Sequence, residues 1–82
     1  MSSFLNMLRF LLRIPAPRIT KEEALRIARE EVIRQGDTWG IPAVQQKLRT
    51  WIVWSNRDVV GSPFVEVDNQ TGQVRQFASP PR

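Results

Sequence analysis

The sequence predicts an α+β domain: one main amphipathic helix packed on a three-stranded antiparallel meander, preceded by a short N-terminal amphipathic helix. Three observations carry this. Residues 19–36, ITKEEALRIAREEVIRQG, contain a complete helix with its own start and stop. Residues 47–55, KLRTWIVWS, are dense in β-branched and aromatic side chains, the composition of a strand. Residues 63–78 hold two short apolar runs around DNQTG, the pattern of a hairpin.

The main helix is the best specified element. Thr20 and Glu23 have capping-box spacing, in which the threonine oxygen takes a free backbone N–H and the glutamate reaches back. Gly36 supplies the left-handed residue that ends a helix at little cost. Ala24, Leu25, Ile27, Ala28 and Val32 recur at helical spacing and form the buried face. Glu22 to Arg26 and Glu30 to Arg34 are glutamate-first i,i+4 pairs, which marks the opposite face as solvated. After Gly36, DTWGIPAVQQ reads as irregular because of Gly40 and Pro42, with Trp39 and Ile41 folding back onto the core edge. Trp39 also has the character of a binding anchor, but a small core has the greater need of so large a side chain.

In the first strand Leu48, Ile52 and Trp54 alternate with Trp51 and Val53, so both faces are apolar and both need cover. One helix covers one face. The turn at 56–62 hinges on Asp58 and Gly61, and Pro63 opens the second strand, where a missing N–H is tolerated. There Val65 and Val67 share the core face, with Phe64, Glu66 and Asp68 on the other. Asp68 and Gly72 supply the turn chemistry of the hairpin, after which Val74 points inward and Arg75 and Phe77 outward. This reading places Trp51, Val53, Phe64 and Phe77 on an outward face that binds a partner, together with Phe4, Leu8 and Leu11 of the N-terminal arm.

That arm is the most apolar part of the chain. Phe4, Leu5, Met7, Leu8, Phe10, Leu11, Leu12 and Ile14 surround a narrow polar face of Ser2, Asn6, Arg9 and Arg13. The run falls short of the ~20 apolar residues that span a bilayer. Arg9 and Arg13 interrupt the apolar centre a signal peptide needs, which favours a cytoplasmic or peripheral membrane location. Such a helix lies against something: its own sheet, a second copy in a homodimer, or a membrane surface. The structural reading, cover for the sheet, ranks first of the three. Arg9, Arg13 and Arg18 are the membrane or anion contacts, and Pro15-Ala16-Pro17 ends the helix. The organisation expected is an arm and proline linker at 1–18, a folded domain at 19–78 and a disordered tail at 79–82.

Charge follows the same division. The chain carries a formal +4 at pH 7, of which residues 1–18 hold three arginines and no acid, net +3. Residues 19–82 hold nine basic and eight acidic side chains, net +1. A nearly neutral module lacks the clustered cations of a nucleic-acid binder. The chain has neither histidine nor cysteine, which removes the commonest general base, the commonest zinc ligands and any disulfide. Glu66 and Asp68 share a strand face as an acid–base pair would, but cross-strand pairing with Arg75 is the simpler use of them. No phosphate loop, calcium loop or nucleophile elbow is present, so no cofactor, metal or catalytic residue is expected and the chain reads as a non-enzyme.

The segment T-x-E-E-A-x-x-I-A at 20–28, the W-x-V of Trp51 and Val53, and V-D-x-x-T-G-x-V at 67–74 resemble a PepSY-type domain. The resemblance covers roughly residues 19–78. It implies a helix on an antiparallel meander and a non-catalytic role in inhibiting or modulating a protein partner. A weaker resemblance is to small bacterial immunity proteins that neutralise toxins. The expected function is therefore a protein-binding, inhibitor-like module, with a peripheral membrane module as the alternative.

Overall fold

A computed structural model describes residues 2–12 and 16–79. Helix α1 spans Ser2–Leu12 and helix α2 spans Lys21–Arg34; strands follow at Ala43–Gln46 (β1), Thr50–Trp54 (β2), Phe64–Asp68 (β3) and Val74–Ala78 (β4). The tail at 80–82 lies outside the described residues.

The caps of α2 form as the sequence dictates, with one variation. Glu23 N–H donates to Thr20 Oγ1 at 3.1 Å, and the Glu23 carboxylate meets the threonine hydroxyl at 3.4 Å rather than the backbone N–H. Gly36 takes φ 81°, and its N–H donates to the Ile33 carbonyl. The ion pairs differ from expectation. Arg26 pairs with Glu30 at 3.2 Å, while Arg34 grips Glu31 at 2.6 Å. The helix offers each arginine more than one carboxylate. Glu31 is the buried one, and a desolvated charge gains most from a partner.

The sheet has four strands, not three, in the order β1-β2-β3-β4, all antiparallel. The added strand is β1, whose Ala43–Gln46 pair with Trp54–Trp51. Pro42 stands immediately before it, so the breakers Gly40 and Pro42 end where the ladder begins. With only Val44 apolar and inward, a four-residue edge strand leaves no alternation to read.

The register decides which side chains enter the core. Val53 stands opposite Val65 and Trp51 opposite Val67, so all four share one face. That face meets Ala24, Ala28 and Val32 of α2, with Val44, Val74 and Phe77 packed around it. Trp51, Val53 and Phe77 therefore lie on the core side under α2, which corrects their assignment to an outward face. In β2 both sets of alternating residues are apolar, so composition alone permits either orientation. For Phe77 the cause is a bulge. Glu66 pairs with Gln76 but Val67 pairs with Val74, and the extra residue, Arg75, restores Phe77 to the inner side.

The opposite face carries Thr50, Ile52 and Trp54 of β2 and Phe64, Glu66 and Asp68 of β3. Ile52 is buried there, and the Trp54 and Phe64 rings stand 6.3 Å apart at a tilt of 46°.

The chain between the helices is tied to the β3–β4 hairpin. Arg18 and Ile19 N–H groups both donate to the Asn69 carbonyl, and Gln70 Nε2 donates to the Ala16 carbonyl at 2.7 Å. From the core side, Trp51 Nε1 donates to the Ile19 carbonyl at 2.9 Å. Gly72 sits against the same corner at φ 77°, where a β-carbon would meet Ile19 and Ile27 at 3.3 Å.

Candidate functional site

Helix α1 is apolar on two sides, and only one of them meets the rest of the protein. Leu5 and Leu8 are half-buried and line an open groove of about 570 Å³ with Lys47, Leu48, Arg49, Thr50, Glu66 and Arg75. Thr50 and Glu66 belong to the outer sheet face, so α1 and α2 lie against opposite faces. The other side of α1 is left to solvent: Phe4 is 60% exposed, Met7 54%, Phe10 82% and Leu11 66%. At 100° per residue these four occupy an arc of about 120°. They leave roughly 400–500 Å² of apolar side chain uncovered, in the range of the largest patch on a typical monomer.

The structure redistributes the residues singled out from sequence. Phe4 and Leu11 are exposed on α1, and Leu8 faces the groove. Phe64 is half-buried on the outer sheet face beside Trp54. Val53 is fully buried, and Trp51 and Phe77 pack against the core, so they cannot share a surface with the α1 residues. Arg18 is exposed, with its backbone fixed to Asn69. Arg13 and the side chain of Arg9 lie outside the described residues. Met7 and Phe10 complete the exposed arc, and Lys47, Arg49 and Arg75 line the groove that Leu5 and Leu8 face. Lys47 and Arg49 sit in the turn between β1 and β2, far from α1 in sequence, so only tertiary packing joins them to it. Met7 and Phe10 are legible as apolar positions, but the wheel cannot say which side of α1 the sheet occupies.

Carboxylates near the groove are held locally. Thr50 Oγ1 donates to Glu66 at 2.9 Å, and Arg75 Nε donates to Asp68 at 2.9 Å. Asp68 Oδ1 also accepts from the Gln70 and Thr71 N–H groups at 2.8 and 3.1 Å. Those two backbone bonds, with Arg75 adding to them, hold the Asp68 carboxyl below its ordinary value of 3.8. Glu31 is lowered likewise, first by its hydrogen bonds from Arg34. A carboxyl depressed in the folded state contributes stability above its unfolded pKa and loses it as pH falls through the folded value. The denaturation midpoint is therefore expected to hold steady from neutral pH down to the usual aspartate range and to fall below it. Asp68→Asn, which keeps the two backbone acceptor bonds, should shrink that acid-side fall. Urea titrations across pH check this, and an unchanged slope in the variant would contradict it.

No protein-family model, curated protein or solved structure matches this chain.

A second concavity of about 420 Å³ lies between α2 and the loop before β1, lined by Leu25, Arg26, Arg29, Glu30, Ile33, Trp39 and Pro42. Trp39 packs half-buried against the core and walls this groove, while Ile41 stays exposed. Among the described residues, no cluster of three acidic, histidine or cysteine side chains could hold a metal ion, and no helix is long and apolar enough to cross a membrane. Every buried side-chain nitrogen and oxygen among them has a hydrogen-bond partner.

Proposed function

We propose that this protein is a small non-catalytic binding module whose contact element is the solvent-facing side of α1. The observation that carries the reading is the arc of Phe4, Met7, Phe10 and Leu11, four large apolar side chains on one short helix, each more than half exposed. Leaving such an arc in water is unfavourable by ~25 cal/mol for each Å², so a surface that covers it gains that free energy back. The resemblance of 20–28 and 67–74 to PepSY-type domains supports a role in engaging another molecule. With Trp51, Val53 and Phe77 committed to the core, α1 replaces the sheet as the surface offered.

The test is a Phe4→Ser, Met7→Ser, Leu11→Ser variant compared with the full chain by thermal melting and by fluorescence of a dye that binds exposed apolar surface. An unchanged melting temperature with reduced dye binding is the expected result, since these side chains serve nothing within the fold. A large drop in melting temperature would assign the arc to the protein's own core and end this reading.

A further inference from the structure

We propose that the occupant of the α1 arc is a second copy of this chain, an assignment that rests on the binding-module reading above and names its partner. The outer sheet face carries two surfaces, one at each end. At the Thr50 end stands α1, with its Leu5 and Leu8 side toward the sheet. At the Trp54 end a second groove of about 460 Å³ lies open, with Ala43, Trp54, Asn56, Val59 and Phe64 among its walls. Both are floored by β2 and β3, Thr50 and Glu66 in one, Trp54 and Phe64 in the other. Thr50 and Trp54 are the first and last residues of β2, so the two surfaces lie about 14 Å apart along the strands. Val59 is more than half exposed at the second groove and Val60 is wholly exposed, which extends the apolar surface outward.

Within one copy the arc cannot meet this groove, because it is centred about 130° round the helix from the Leu5 and Leu8 side. Between two copies it can. Consider two outer faces turned toward each other, related by a two-fold axis that crosses the strands near Ile52. The axis reverses strand direction, so the Thr50 end of each copy meets the Trp54 end of the other. Each arc is then set over the other copy's groove, and the two α1 helices share one layer between the sheets. Such a contact is isologous and closed, and it covers both surfaces of both copies at once. Shape, area and charge favour it. Phe4, Met7 and Leu11 form the i, i+3, i+7 row with which a helix fills a groove in a protein, and Phe10 stands beside them. Covering an arc of roughly 400–500 Å² buries a like area of the surface that covers it, and each copy supplies both. That makes roughly 800–1,000 Å² per copy, the amount a standard stable interface takes from one partner. The arc has no charged residue, and the one charged residue lining the groove, Arg57, has Asp58 at 3.9 Å. An arc-to-arc contact would instead leave both grooves open and bury about half as much.

The experiment is sedimentation velocity of the full chain at rising concentration, alone and with two variants at opposite ends of the contact. Phe4→Ser, Met7→Ser, Leu11→Ser removes the arc, and Val59→Asp places a charge in the groove at a side chain the single copy leaves mostly exposed. The parent is expected at twice the chain mass of 9.5 kDa and each variant at the chain mass, with the parent's circular dichroism. An equimolar mixture of the two variants should regain dimer, because one intact arc and one intact groove remain in the mixed pair. A monomeric parent, a dimer that Val59→Asp leaves intact, or a mixture that regains none overturns the assignment. The fate of the binding-module reading is told apart by adding the arc substitutions to Val59→Asp, where no second copy covers α1. Unchanged melting with reduced dye binding there leaves that reading standing with a different partner, even if the parent proves monomeric. Melting far below Val59→Asp alone ends both readings together.

Discussion

Trp51→Ala is expected to destabilise the protein by about 3–5 kcal/mol, a large share of its total stability. Truncating a packed tryptophan costs that much, and a domain of this size has only ~4–12 kcal/mol in total. Trp51 is worth that much here because it does two jobs from one position in β2. Its ring packs beside Val67 on the core face, and its Nε1 donates to the Ile19 carbonyl at 2.9 Å. That bond fixes the residue immediately before the N-cap of α2, so losing it loosens the entry to the helix as well as the core. Trp51→Phe separates the two contributions. It keeps most of the packing and leaves the Ile19 carbonyl without its donor, for a cost of about 1–2 kcal/mol. Urea unfolding followed by far-ultraviolet circular dichroism measures both. A surface tryptophan, as Trp51 would be on an outward binding face, would give an alanine variant as stable as the parent.

Asn69→Ala is expected to destabilise by about 2–3 kcal/mol, near the upper end for one buried polar side chain. For a chain this short that lowers the melting temperature by roughly 10–20 °C. Asn69 is only 1% exposed, and its Nδ2 donates to the Leu48 carbonyl at 3.1 Å, linking the β3–β4 hairpin to the turn between β1 and β2. Its own backbone extends the connection, with its N–H donating to the Arg49 carbonyl and its carbonyl accepting from Arg18 and Ile19. The alanine variant removes the Asn69 donor from the Leu48 carbonyl and opens space where three segments converge. Scanning calorimetry gives the loss directly, and a change within a degree or two would show that the backbone bonds alone hold this corner.

Both positions show where sequence reasoning stops. Asn69 is legible only as a turn residue in DNQTG, and nothing in that motif points to Leu48, 21 positions away. Trp51 is legible as a strand residue, but the direction in which it points is not. Its strand reads TWIVW, in which shifting the parity by one exchanges one apolar set for another. Phe77 adds a different obstacle, because the bulge at Arg75 breaks the two-residue period that places side chains on faces. The edge strand β1 has a third, since AVQQ is too short and too polar for a period to show. For the binding surface, the wheel of α1 establishes that nearly every side is apolar. It leaves open which side the protein itself covers.

What the sequence determined by itself is what is local. The start, end and buried stripe of α2 follow from Thr20, Glu23, Gly36 and the spacing of Ala24, Ala28 and Val32. The hairpin turn follows from Asp68 and Gly72, and the α+β class from these elements together. Each depends on residues within a few positions of one another, whose backbone preferences and hydrogen bonds act before any long-range contact forms. The tertiary structure alone decided the number of strands, the face that Trp51, Val53 and Phe77 enter, and the side of α1 left to solvent. Those depend on pairing register and on the order in which strands and helices stack. Neighbouring residues do not encode these choices where both faces of a strand, or nearly all sides of a helix, are apolar.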